Sequence, residues 1–375
     1  MIQILRIFRS NWISPGHIFK RCWLIAALLS GSLHSQAQKD STKKDFSIIG
    51  FPLVFSNPES GFGVGAGGLV SFKWGDDTLT RESNMQLGGA YTSKNQILSY
   101  GFFQVFTPKN KQYFFGELGF YDFNYLFYGL GNETELPNEE VFFFDLYRLR
   151  LTALQKIKTR HYLGLRWYFD YWIIKDIEEE GFLAQEQPLG AAGGPTSALG
   201  GVYLIDTRND VFYPTKGTFL EFGLLGQSAI TGGDLNHGRF TSNLSWYQSL
   251  SPSTILATNF KNDWLWGQAG FFNLPQLGGL NNLRGYYLGR FRGNFMQLLQ
   301  TELRQTIYGR FKMAAFAGVG SVADALVDIP QNKLHLASGL GLRYKVLKNS
   351  KAHIRLDFAW GDGPMQIYVG VAEAF

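Results

Sequence analysis

Ala352-His353-Ile354-Arg355-Leu356-Asp357-Phe358-Ala359-Trp360 is the stretch that decides the fold class. Read as an extended chain, it puts Ala352, Ile354, Leu356, Phe358 and Trp360 on one face and His353, Arg355 and Asp357 on the other. Soluble sandwiches alternate too. Here, however, the exposed-looking face is aliphatic and aromatic, while the charges fall on the face that must be enclosed. A strand with lipid outside and a lumen inside has that arrangement.

The same pattern recurs along the chain. Leu163, Leu165, Trp167, Phe169 and Tyr171 alternate with Arg166, Tyr168 and Asp170, and from Leu334 to Val346 the even positions are mostly apolar, with Arg343 and Lys345 opposite. Such segments predict sixteen strands, starting near Phe46, Phe62, Glu82, Gln96, Gln112, Val141, His161, Ala198, Gly217, Asn236, Thr254, Asn294, Phe311, Lys333, Ala352 and Pro364. An even number suits a closed antiparallel transmembrane β-barrel. Short connections at Thr107-Pro108-Lys109-Asn110, Lys158-Thr159-Arg160, Ser251-Pro252-Ser253, Tyr308-Gly309-Arg310 and Lys348-Asn349-Ser350 are expected to be periplasmic turns. The long connections 124–140, 173–197 and 267–293 are expected to be extracellular.

Composition agrees with a barrel. Charged residues are 17% against a norm of about 25%, and aromatics reach 16%, so the surface is built for lipid rather than water. The net charge of +5 is dispersed along the chain, which excludes a nucleic-acid-binding patch. At the start, Arg6, Arg9, Lys20 and Arg21 precede an apolar core, Cys22 to Leu33, and the small-residue site Ser35-Gln36-Ala37. These are the parts of an export signal, expected to be cleaved after Ala37. Its core is too short to cross about 30 Å of hydrocarbon as a helix. The expected organisation is a signal at 1–37, a short periplasmic segment at 38–45 and one barrel domain at 46–375 in a Gram-negative outer membrane.

Chemistry-bearing motifs are sparse. His161, His237, His335 and His353 have no metal-ligand spacing, and the only cysteine, Cys22, leaves with the signal. His353 and Asp357 share a face but stand roughly 13 Å apart along a strand, too far for a catalytic hydrogen bond. Gly63-Val64-Gly65-Ala66-Gly67-Gly68 satisfies a dinucleotide fingerprint, but no helix follows it. Its alternate glycines instead suggest a smooth inner wall against which a loop lies. No enzyme, cofactor or metal is expected, and inward Arg148, Arg150, Arg166, Arg355, Asp170 and Asp357 are expected to form a satisfied lumen network.

Leu280-Asn281-Asn282-Leu283-Arg284-Gly285-Tyr286-Tyr287, after the eleventh strand, resembles the Arg-Gly-aromatic loop of the BamA/TamA family, also called the bacterial surface antigen family. Asp206-Thr207-Arg208 with Pro214 and Gly217 resembles that family's turn motif, and Glu302-Leu303-Arg304 resembles its inner-wall motif. The final segment, with Tyr368 and Phe375, resembles the carboxy-terminal signal read by the barrel assembly machinery. The resemblance implies a long extracellular loop folded into the lumen, with Arg284, Gly285 and Tyr286 at its tip and Glu302 gripping Arg284. It further implies assistance to the insertion or translocation of a protein or lipid client, through a weak seam between the first and last strands. Outer-membrane lipid and the assembly machinery are the implied partners.

Pro52 in strand one and Pro364 at the start of strand sixteen cannot donate ladder hydrogen bonds, which suits a seam and equally suits ordinary edge or turn prolines. The sequence departs from the family pattern at Gly318, where the family carries a second acidic partner for the loop arginine. It also leaves no room at 38–45 for POTRA domains, so a short member lacking them is expected. The alternative is a passive pore or a structural component of the outer membrane.

Overall fold

The computed structural model describes residues 46–75, 77–211, 213–329, 331–345, 353–371 and 373–375. The expected signal at 1–37, the segment at 38–45 and the turn at 348–350 lie outside the described residues.

Among the described residues, sixteen antiparallel strands close into one barrel. They are β1 (Phe46–Asn57), β2 (Gly61–Phe72), β3 (Ser83–Thr92), β4 (Ile97–Phe106), β5 (Gln112–Phe127), β6 (Glu140–Lys158), β7 (His161–Ile177) and β8 (Gly194–Asp206). The second half comprises β9 (Gly217–Gln227), β10 (His237–Ser249), β11 (Thr254–Gly267), β12 (Phe295–Tyr308), β13 (Phe311–Ala323), β14 (His335–Lys345), β15 (His353–Trp360) and β16 (Gln366–Val371). No helix among the described residues is long and apolar enough to cross a membrane.

Strand starts fall within two residues of those read from the alternation, except that β8 begins at Gly194 rather than Ala198. At the long-loop end β5 and β7 also run further than their patterns suggest. There inward Phe123, Phe127, Phe142, Phe144 and Trp172 pack with Phe271 and Phe272 of the connection between β11 and β12. That contact is tertiary, and it supports strand beyond the reach of local alternation.

The apolar face is outermost, as expected for a lipid-facing wall. Leu163, Leu165, Leu336, Leu340 and Leu342 are exposed, whereas Arg166, Asp170, Arg343, Arg355 and Asp357 are buried. The lumen charges pair across strands: Arg148 and Arg150 donate to Asp170 at 2.9 and 2.7 Å, and Arg166 forks onto Glu221 at 2.8 and 2.9 Å. Gly63 and Gly65 of the Gly63–Gly68 run do not make way for the loop. The ring of Phe55 on β1 fills the space beside Gly63, and the β3 backbone at Gly89 and Ala90 crowds Gly65.

The wall is uneven at one place. β1 pairs with β2 from Phe46↔Phe72 to Asn57↔Gly61, yet it meets β16 at a single register pair among the described residues, Ser56↔Val369. Pro52 lies within β1, opposite Ala66 of β2. Pro364 sits in the bend before β16 and removes no ladder bond. β16 ends at Val371, and among the described residues Phe375 lies outside any strand.

Candidate functional site

The connection between β11 and β12, residues 268–294, folds into the lumen. A two-residue ladder, Gln276–Leu277 with Phe291–Arg292, pins its two limbs together. Leu277, Leu283, Tyr286 and Phe291 pack against Met296, Leu298, Val322 and Ala337 of the inner wall. Burial of these side chains is the main term holding the loop down. Lys261 of β11 adds hydrogen bonds to the Asn281 carbonyl at 2.9 Å and the Asn282 side chain at 3.0 Å.

At the tip, Arg284 spans two strands. Its Nη2 donates to Glu302 Oε2 on β12 at 2.7 Å and its Nη1 to Asp357 Oδ2 on β15 at 2.5 Å, while its guanidinium lies 3.6 Å from the centre of the Phe316 ring. Both carboxylates are fully buried. A planar fork meeting two fixed acids over an aromatic face is a geometry arginine alone supplies.

The family's second acid, replaced here by Gly318, is therefore supplied from two strands away. Gly318 has a different use: a Cβ there would stand 2.8 Å from Leu283 Cδ1, so the missing side chain leaves room for Leu283 of the loop. Gly285 has φ +116°, and a Cβ on it would lie 2.8 Å from the Trp360 carbonyl. Its amide donates to the Tyr368 hydroxyl at 3.1 Å, which in turn donates to the Tyr286 carbonyl at 3.2 Å. Tyr286 donates its own hydroxyl to the Leu336 carbonyl at 2.9 Å.

Beneath the tip the charges continue toward the short-turn end. Arg304 Nε donates to Glu302 Oε1 at 2.8 Å, and Arg343 donates to Asp357 Oδ1 at 2.5 Å and to Glu373 Oε2 at 2.9 Å. Each carboxylate serves at least two guanidinium groups, which is what allows so many charges to be buried together.

The turn motif lies apart from the loop. Asp206, at the end of β8, accepts from Arg208 at 3.0 Å and from Arg81 at 2.7 Å, and Arg208 lies 4.5 Å from the Phe219 ring centre. Gly217 has φ +106° and Pro214 is buried. The turn itself reaches across the barrel mouth. Val211 borders a lumen cavity with Asn84, Gln86 and Gln104, while Tyr213 lies against Lys312, at 3.4 Å from its ring centre, and His353. The turn thus touches two separate stretches of the wall, β3–β4 and β13–β15.

Alternation placed Asp357, Arg343 and Arg355 on the lumen face but carried no signal for which of them would meet the loop. Tyr368 and Glu373 were not readable as loop or cluster partners at all. Glu59, between β1 and β2, was missed too: it accepts the Leu288 amide at 2.7 Å, and burial raises its carboxyl above the usual range. Among the described residues no group of three His, Cys, Asp or Glu is placed to hold a metal ion.

Residues 148–375 match the Omp85 superfamily domain. No curated protein matches the chain. Among solved structures, BamA from Haemophilus ducreyi lacking POTRA domains 1–3 aligns with a TM-score of 0.56 at 15% identity, over 88% of this chain and 70% of that one. CdiB from Acinetobacter baumannii aligns with a TM-score of 0.56 at 12% identity, over 88% and 60% of the two chains. CdiB from Escherichia coli gives 0.57 at 12%, over 87% and 62%. At these identities the likeness is one of fold, and the chain spans about three-fifths of either CdiB.

Proposed function

The chain belongs to the Omp85 superfamily, and from that membership we propose that it assists the insertion or translocation of a protein or lipid client at the outer membrane. The observation that carries the reading is the seam. A barrel whose other ladders are long joins its first and last strands through Ser56↔Val369 alone among the described residues, so this is where the wall opens at least cost. Each ladder hydrogen bond facing lipid lacks water as a substitute partner, so a gate is built where few must break.

Arg284, Gly285 and Tyr286 would keep the lumen filled and steady β12, β15 and β16 while the seam works. Glu302 and Arg304 would form the inner-wall receptor, and the motif of Asp206, Arg208, Pro214 and Gly217 would close the periplasmic mouth. Tyr368 and Phe375 remain candidates for the assembly signal. Depletion of the protein followed by quantitative proteomics and lipid analysis of the outer membrane tests the role. Selective loss of a set of outer-membrane proteins or lipids supports it, and an unaltered membrane rejects it. A passive pore would instead give steady, large, ohmic openings in planar bilayers, an outcome the loop lying in the lumen argues against.

A further inference from the structure

The outer wall of β10–β12 breaks the apolar pattern of the lipid-facing surface. Register sets Ser242 of β10 opposite Asn262 of β11, and Asn262 opposite Gln297 of β12, on the outward face that also carries Leu244 and Leu299. The three form one hydrogen-bonded row: Asn262 Nδ2 donates to Ser242 Oγ at 3.0 Å, and Gln297 Nε2 donates to Asn262 Oδ1 at 3.2 Å. Outward positions on β7 and β14 carry leucines instead, at Leu163, Leu165, Leu340 and Leu342.

The row lies within the membrane. Along β11, Asn262 stands four residues from Trp266 on one side and four from Thr258 on the other, and Thr258 pairs with Trp246. Trp246 and Trp266 are exposed, as girdle residues at the two interfaces are. Their levels lie roughly 13 Å along the strand on either side of Asn262. An amide at that depth has no water to bond, and an unmet polar group there is costly. The row uses one N–H of each amide and the oxygen of Asn262; among the described residues the second N–H of each and Gln297 Oε1 have no partner.

The wall beside the row suits close approach. Two outward positions nearer the short turns, Thr258, Thr301, Ala317 and Ser338 stand side by side across β11–β14. Small side chains let two membrane walls come together closely, and polar ones bind them.

We propose that the outer face of β10–β13 is the contact between two copies of this chain in the membrane, with the Asn262 and Gln297 amides of each copy completing those of the other. Self-complementarity favours a second copy. A carboxamide both donates and accepts, and two copies related by a twofold axis along the membrane normal carry the row at one depth, so each row meets its like. A partner of another kind would need its own polar row at that depth. β14 and β15 separate this face from β16, so both copies keep their seams facing lipid. The proposal goes beyond client delivery and rests on the outer wall alone, so its failure would leave the functional reading above standing.

The test is oxidative cross-linking of Leu299→Cys, at the centre of the patch, against Leu165→Cys, an outward leucine on β7, both in a Cys22→Ser background. Outer membranes of expressing cells are treated with copper phenanthroline, only folded, heat-modifiable barrels are scored, and the cross-linked species are identified by mass spectrometry. Leu299→Cys is expected to give dimers of this chain at least tenfold above Leu165→Cys. Adding Asn262→Leu and Gln297→Leu, side chains that lipid solvates and that keep the wall intact, is expected to bring the yield down to that of Leu165→Cys. Equal yields from the two cysteine positions, as a hydroxylated acyl chain seated on the row would give, overturn the proposal. A cross-link of Leu299→Cys to a different protein overturns it too, as does an undiminished dimer yield in folded barrels carrying both leucines.

Discussion

The amide of Gly285, at the tip of the lumen loop, donates to the hydroxyl of Tyr368 on the last strand at 3.1 Å. The loop is thereby tied to the strand that forms one side of the seam, in addition to its salt bridges on β12 and β15. Loop docking and the state of the seam share a mechanical connection, and the predictions below probe its parts.

Removing the tip cation should unsettle the barrel. Arg284→Ala leaves Glu302 and Asp357 buried with fewer partners, a change that costs about 3–5 kcal/mol when one member of a buried pair is deleted. The expected result is a lower yield of folded protein and a lower midpoint in a heat-modifiability series. Arg284→Lys should recover little, because a point charge does not span two carboxylates. A midpoint equal to the parent's would dismiss this role.

Tyr368→Phe removes one hydroxyl and nothing else. It takes two hydrogen bonds from the loop tip, worth about 1 kcal/mol each, and leaves the wall packing intact. Trypsin added to intact cells should then cut faster at loop residues Arg290 and Arg292, with folded yield preserved. Equal cleavage rates would show that the tie carries no load.

Restoring the family's acid at position 318 should harm rather than help. Gly318→Asp drives a side chain into Leu283, whose Cδ1 would lie 2.8 Å from the new Cβ, and adds a buried charge whose expected partner already has two acids. Faster loop proteolysis or reduced folding is the expected outcome. A gain in thermal midpoint would mean that Arg284 can take a third acid.

Glu59 supplies a pH dependence. Burial raises its carboxyl above the ordinary value of 4.5, so the folded protein holds that proton to higher pH than the unfolded chain. Its contribution is fully present below the unfolded value and declines as pH rises through the raised one. The Leu288 amide, which donates to this carboxyl, should exchange with deuterium more slowly at pH 5 than at neutral pH, after correction for intrinsic exchange. Glu59→Gln should flatten that difference. A difference that persists in the Gln variant would place the titration elsewhere.

The strand count, the lipid-facing and lumen-facing sides, and the placing of Arg284 in a long connection were legible in residue order. Leu163, Arg166 and Asp170 declare their faces because a strand's side chains alternate whatever lies across from them. The Arg-Gly-Tyr tip was recognisable because its residues are contiguous. Glu302 as a partner of Arg284 was legible through the family resemblance, whereas two inferences about partners failed: the acid thought lost at Gly318 and the glycine run thought to receive the loop.

Alternation by itself determined that this chain is a sixteen-stranded barrel with charges inside, because the face a side chain takes is set by its immediate neighbours in sequence. Only the closed tertiary structure decided that Asp357 meets Arg284, that Tyr213 crosses the mouth to Lys312, and that Glu373 meets Arg343. Which residues face each other across a lumen depends on strand stagger and closure, quantities that belong to the whole ring of strands and to no segment of it.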